Sequence, residues 1–214
     1  FPGSDVEILC ELGVTDIGES RSQEAAAKMA ALPAAVRRRL QVHFIGQVQS
    51  NKAASLASFV DAVHSIDRKK VVHALDQAAA AAGRQISALV QVSLEADTTS
   101  GGAAGRAGRA GPAGPAGPAG RGGIPEDAVA ELAKMVAAAQ HLQLRGVMAV
   151  APLGGDPADA FADLAQVSHA LRRDYPGATW ISAGMSADLE VAVANGATHL
   201  RVGSAILGSR PPAG

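Results

Sequence analysis

The 214 residues carry a formal net charge of −1 and are 48% hydrophobic but only 3% aromatic, which describes an aliphatic, soluble chain with no bulk attraction to nucleic acid or a membrane surface. One cysteine, Cys10, excludes an intrachain disulfide and fits a reducing, cytoplasmic compartment. No run of about 18 apolar residues is present, so no membrane-spanning helix is expected.

In chain order, Ser4-Asp5 precedes the apolar run Val6, Ile8, Leu9 and Leu12, and Gly13 follows it, the order of an N-cap, a short helix and a terminating glycine. Residues 14–20 (VTDIGES) read as a strand, 23–32 as a helix of good formers with Pro33 just beyond, and 42–46 (VHFIG) as a second strand. Asn51 is placed to cap a helix running through Ala57. A strand at 62–66 (AVHSI) and a helix at 68–82 lead to 86–94 (ISALVQVSL), a nearly continuous apolar run expected of a strand buried on both faces. Residues 95–124 break the pattern with a Gly-, Ala- and Arg-rich stretch that includes Gly-Pro-Ala triplets. These triplets are too few for a collagen helix, so the segment reads as a flexible insertion in a surface loop of one domain spanning 1–214. Pro125 then opens a helix with acids in its first turn. A strand at 142–150, a helix at 158–174, a strand at 179–183, a helix at 187–194 stopped by Asn195-Gly196, and a strand at 199–207 complete the chain.

Strands that alternate regularly with helices predict a parallel sheet. Seven strands plus a helix at the very start point to an α/β, TIM-type (β/α)₈ barrel whose first strand lies ahead of Phe1. A doubly wound open sheet is the competing topology, and the absence of GxGxxG after the first strand speaks against it. In a barrel, the strands at 179–183 and 199–207 are the seventh and eighth, whose following loops frequently bind phosphate. Each carries a small-residue turn with a hydroxyl: Gly184-Met185-Ser186 and Gly203-Ser204. Glycine lets backbone N–H groups approach an anion, and a following helix start adds a favourable dipole. Ordinary βα turns use the same residues, so the spacing leaves both readings open.

The segments HFIGQVQSNK (43–52), HSID (64–67), RGVMAVAP (145–152), GMSADLEVAVANGATHLRVGSAILG (184–208) and GES followed by QE (18–24) together resemble the pyridoxal-phosphate homeostasis proteins. These are single-domain barrels similar to the N-terminal domain of alanine racemase, and the likeness covers nearly all of the chain outside 95–124. It implies a non-catalytic pyridoxal 5′-phosphate (PLP) binding protein that buffers the cofactor or delivers it to PLP-dependent apoenzymes, with no nucleic acid or membrane partner. Family members hold the cofactor as a Schiff base on a lysine in a segment like AVSKTFP. The match resumes at Phe1-Pro2, so the resemblance places that lysine upstream of Phe1 in an N-terminally truncated chain. Lys52, in the QSNK motif, is not at that position, and Lys28, Lys69, Lys70 and Lys134 read as solvated helix faces.

The resemblance assigns the phosphate to Ser186, the backbone N–H groups of Met185 and Ser186, Gly203 and Ser204, with Ser182 a lesser member of the same cluster. Serine stands at 204 where the family more often has threonine, which keeps the hydroxyl. Ser20 stands where the family usually has asparagine beside the cofactor and offers fewer hydrogen-bonding groups. His43 matches the family motif as a cofactor-proximal residue or an ordinary barrel-end histidine. Arg201, two residues before Gly203, shares a strand face with it. Against a pyridine nitrogen its guanidinium donates to the lone pair and opposes ring protonation, so the ring is a poor electron sink. An arginine paired with an acid at the barrel end is the plainer alternative. By the same resemblance, a racemase-like enzyme would need an opposing catalytic group from a second, β-rich domain; a barrel enzyme acting on a small phosphorylated metabolite would need acid/base groups, and Glu19, His43 and Asp67 are the candidates at strand ends. The histidines show no metal-binding helical pair, and no GxSxG motif supports serine hydrolysis.

Overall fold

The computed structural model describes residues 1–94 and 122–208. Within them, α1 (Gly3–Glu11), β1 (Asp16–Glu19), α2 (Ser22–Ala31), α3 (Ala34–Arg37) and β2 (Gln41–Phe44) come first. A short 3₁₀ turn (Ser50–Lys52), α4 (Ala53–Ala57), β3 (Ala62–Ile66), α5 (Lys69–Ala81) and β4 (Ile86–Gln91) follow. The second half holds α6 (Glu126–Ala138), β5 (Leu142–Met148), α7 (Pro157–Asp174), β6 (Trp180–Met185), α8 (Leu189–Ala194), β7 (His199–Arg201) and α9 (Ser204–Leu207).

All neighbouring strands pair in parallel, and their spatial order is the sequence order β1 through β7. Parallel pairing in unbroken order is the barrel topology, because a doubly wound sheet reverses its strand order at a switch point. The two outer strands of the set, β1 and β7, line one cavity of about 520 Å³ from opposite sides.

The helices cover the outside of the sheet with apolar faces at helical spacing. α5 buries Val71, Val72, Leu75 and Ala79, α6 buries Val129, Leu132, Ala133 and Val136, and α7 buries Ala160, Phe161, Leu164 and Leu171. β3 is buried at every position, with helices outside and a polar interior that includes His64 within. Each buried leucine or phenylalanine contributes about 1.5–3 kcal/mol, so the aliphatic core carries most of the fold's stability.

Several local expectations need correction. Helix α1 starts at Gly3 with Pro2 ahead of it and no side-chain cap, so Ser4 and Asp5 lie in its first turn and are not its cap. Asn51 sits within the 3₁₀ turn, and α4 has no side-chain cap. Pro33 does more than end α2: its fixed φ leads directly into α3, an extra turn of helix. The expected strand at 199–207 is only His199–Arg201; Gly203 ends it and α9 takes its last residues. Among the described residues β7 pairs with β6 alone, through a shifted register, and one-sided pairing gives little to extend it. Helix α8 begins at Leu189 because the Asp188 carboxylate accepts from Met185 N–H at 2.6 Å and holds a separate turn ahead of it. Of the expected insertion at 95–124, residues 95–121 lie outside the described residues, and at its end Ile124 bridges Val92.

Candidate functional site

The end of β6 and the start of α9 bring the two small-residue turns together. Ser204 Oγ donates to Ser186 Oγ at 3.2 Å, and the Ala205 N–H points at the same oxygen at 3.4 Å. Gly184 makes this possible: its φ is +87°, and a Cβ there would lie 2.6 Å from the Ala192 Cβ and 3.1 Å from Leu200. Only glycine accepts both the left-handed backbone and the close packing of α8 on the turn. Two hydroxyls from separate turns thus converge on one exposed spot. The Met185 N–H, expected to face the same anion, is instead committed to Asp188.

Arg201 leaves β7 toward the barrel interior and is half-buried. Its Nη1 donates to Ser182 Oγ at 2.7 Å and its Nη2 to the Ala149 carbonyl at 2.8 Å. Burial pulls its pKa down to about 10, with Asp188 acting in the opposite direction, so it stays charged at neutral pH. Among the described residues no carboxylate comes within ion-pair distance of it. A half-buried cation whose partners among the described residues are neutral oxygens is an electrostatic position that a lone pair or an anion would satisfy.

Ser182 is fully buried and binds Arg201 and His64, so it belongs beneath the guanidinium and not to the phosphate turns. His43 is also interior, with its Nε2 3.0 Å from Asp16 Oδ1 and its Nδ1 2.8 Å from His64 Nε2. His64, only 2% exposed, had no role in the sequence reading beyond its place in HSID. Its signal is a histidine on a strand otherwise made of buried residues, which must find partners inside the barrel. Burial first, then the nearby His43, His199 and Arg201, drive the His64 pKa down to about 2, so it is neutral. His199 is lowered by burial and by His43, with Asp16 opposing. Its ring lies 4.3 Å from that of Trp180. Burial alone would raise Asp16, yet hydrogen bonds from Thr15 and His43 hold it below the usual carboxylate value.

Ser20, at the end of β1, lines two cavities, one shared with Lys52 and one shared with Lys28, Val202 and Gly203. Lys28 is not a solvated residue: its Nζ lies 2.6 Å from Glu19, and both side chains are nearly enclosed. The strand-end acid Glu19 is therefore tied to a cation. Asp67 is buried and packed against Arg68; burial raises its pKa, while Arg68 and hydrogen bonds from Gln47 and the backbone oppose the rise.

The alanine racemase N-terminal domain family matches residues 114–211. A pyridoxal phosphate homeostasis protein from Corynebacterium glutamicum is 37% identical over 98% of this chain and 86% of its own length. One from Mycobacterium tuberculosis H37Rv is 38% identical over 98% of this chain and 80% of its own. PipY of Synechococcus elongatus PCC7942, solved with PLP bound, superposes with a TM-score of 0.76 at 32% identity, covering 97% of this chain and 88% of that one. On residues, topology and these relatives, the chain belongs to the pyridoxal phosphate homeostasis protein family.

Proposed function

We propose that this chain binds PLP at the ends of β6 and β7 and acts as a non-catalytic reservoir that passes the cofactor to PLP-dependent apoenzymes in the cytoplasm. The observation that carries the reading is Arg201, a half-buried guanidinium at the end of β7 that donates to two neutral oxygens and has no carboxylate within ion-pair distance among the described residues. The donor set fits the cofactor: Ser186, Ser204 and the Gly203 turn suit a phosphate dianion, and Arg201 suits a pyridine nitrogen. PipY, which resembles this chain, was solved with PLP bound.

When bound, PLP supplies an aldehyde and a pyridine ring that withdraws electrons well only when its nitrogen is protonated. Arg201 would set a fixed positive charge and N–H donors against that nitrogen, which would oppose its protonation and favour storage over carbanion chemistry. Ser186 and Ser204 orient the phosphate, and Ser20 borders the site from β1. The acid/base groups that a barrel enzyme acting on a phosphorylated metabolite would draw on have other partners: Glu19 with Lys28, His43 with Asp16 and His64, and Asp67 with Arg68.

The test is to load the chain with PLP, remove free cofactor, and add a PLP-dependent apoenzyme. Activity of the apoenzyme should rise with the amount of loaded chain, while D/L-alanine interconversion by the chain alone stays at the uncatalysed level. Racemisation that scales with chain concentration would refute the non-catalytic reading.

A further inference from the structure

Five polar side chains from five strands form one unbroken chain of hydrogen bonds across the barrel interior: Arg201, Ser182, His64, His43 and Asp16. With singly protonated imidazoles, one set of donor directions satisfies the whole line. A guanidinium cannot accept, so Arg201 donates to Ser182 Oγ and the single Ser182 proton is free to go to His64 Nδ1. His64 then carries its proton on Nε2 and donates to His43 Nδ1 at 2.8 Å. His43 in turn carries its proton on Nε2 and donates to the Asp16 carboxylate. The three middle groups, Ser182, His64 and His43, each use one donor and one acceptor along the line, so their hydroxyl and four ring nitrogens are all paired.

The opposite direction fails for neutral histidines. If His64 donated from Nδ1, its Nε2 would accept from His43 Nδ1–H, and His43 Nε2 would present a lone pair to the Asp16 carboxylate. Only a second proton on His43 would repair that contact, and the Ser182 hydroxyl proton would then have lost His64 as its acceptor. The charged and titratable groups facing this pair are Asp16, His64, His199 and Arg201, and His199 Nδ1 is itself occupied by Thr198 Oγ1 at 2.8 Å.

We propose that His64 is the positioning residue of Arg201: through Ser182 it links the guanidinium to the His43–Asp16 pair in a one-way relay that locks its plane toward the ring-nitrogen position. This rests on the PLP reading for what Arg201 meets, but the relay itself is a property of the unliganded chain. Ser182 donates its hydroxyl hydrogen bond to His64 and so becomes a stronger acceptor for Arg201, while the Ala149 carbonyl holds the second nitrogen. Together the two contacts leave the guanidinium little freedom to swing.

Two measurements test this. Imidazole ¹⁵N NMR of the unliganded chain at neutral pH should show His64 as the neutral Nε2–H tautomer; a His64 Nδ1–H tautomer would overturn the relay. In PLP titrations, His64→Phe should weaken binding about tenfold. The same substitution placed on Arg201→Met should cost almost nothing further, because its effect passes through the guanidinium. Full additivity of the two losses would overturn the positioning role. Should His64→Phe not fold, Ser182→Ala breaks the same link with less loss of volume and is expected to show the same non-additivity. Failure of the wild-type chain to retain PLP would refute the functional reading, while the tautomers would still decide the relay.

Discussion

Acidification destabilises this fold through His64. The imidazole is neutral in the folded chain because burial and three nearby basic groups pull its pKa from 6.5 to about 2. In the unfolded chain it regains its ordinary value, so below about pH 6.5 the unfolded state binds a proton that the folded state refuses. Stability therefore falls as the pH drops below 6.5, by about 1.4 kcal/mol per unit, and the loss continues until the folded pKa is reached. Between about pH 7.5 and about pH 5 the loss from this residue is about 2 kcal/mol, a sizeable part of the 5–15 kcal/mol typical of a domain. His199 has a lowered value and acts with the same sign. Asp67 acts oppositely, since its raised value makes the folded state gain its proton first as the pH falls. Asp16 is held low, so its contribution is present above its ordinary value of 3.8 and is lost only below that. The assay is urea unfolding followed by circular dichroism at several pH values, for the wild type and for His64→Gln, which cannot take up a proton. The variant should be less stable near neutrality yet lose less on acidification. Parallel losses in the two proteins would refute the assignment of acid sensitivity to His64.

Two other substitutions probe the geometry of the site. Gly184→Ala should destabilise the fold by about 2–3 kcal/mol and weaken PLP retention, because it adds left-handed strain and a clash with Ala192 beside the serine pair. A thermal midpoint equal to that of the wild type would contradict the packing described for that turn. Glu19→Gln should cost about 2–3 kcal/mol in urea unfolding, since it strands the enclosed Lys28 ammonium without its partner. A loss below about 0.5 kcal/mol would mean that the pair is effectively solvated.

The parallel order of the strands and the location of the two glycine turns were legible in the sequence, because both rest on local signals. Alternation of β-branched runs with amphipathic helices marks a parallel sheet whatever the tertiary detail. Gly184-Met185-Ser186 and Gly203-Ser204 stand out as small residues at strand ends. Most of what escaped depends on contacts that local spacing does not encode. Lys28 has the spacing of an exposed helical residue, and only the docking of α2 on the end of β1 brings Glu19 to it. Ser182 looks like a third phosphate hydroxyl until the barrel curvature turns it toward His64, 118 residues away in sequence. Met185 N–H looked available for an anion because an aspartate three residues later is as compatible with a helix cap as with a turn. The length of β7 depends on how many strands flank it, which no local pattern encodes.

The most direct test of the account compares PLP with pyridoxal, its dephosphorylated form, in equilibrium dialysis against the wild type and Ser186→Ala/Ser204→Ala. The wild type should retain PLP at least about tenfold more tightly than pyridoxal, and the double substitution should remove most of that difference while leaving the circular dichroism spectrum unchanged. Equal retention of PLP and pyridoxal by the wild type would contradict the assignment of the β6 and β7 turns as a phosphate site.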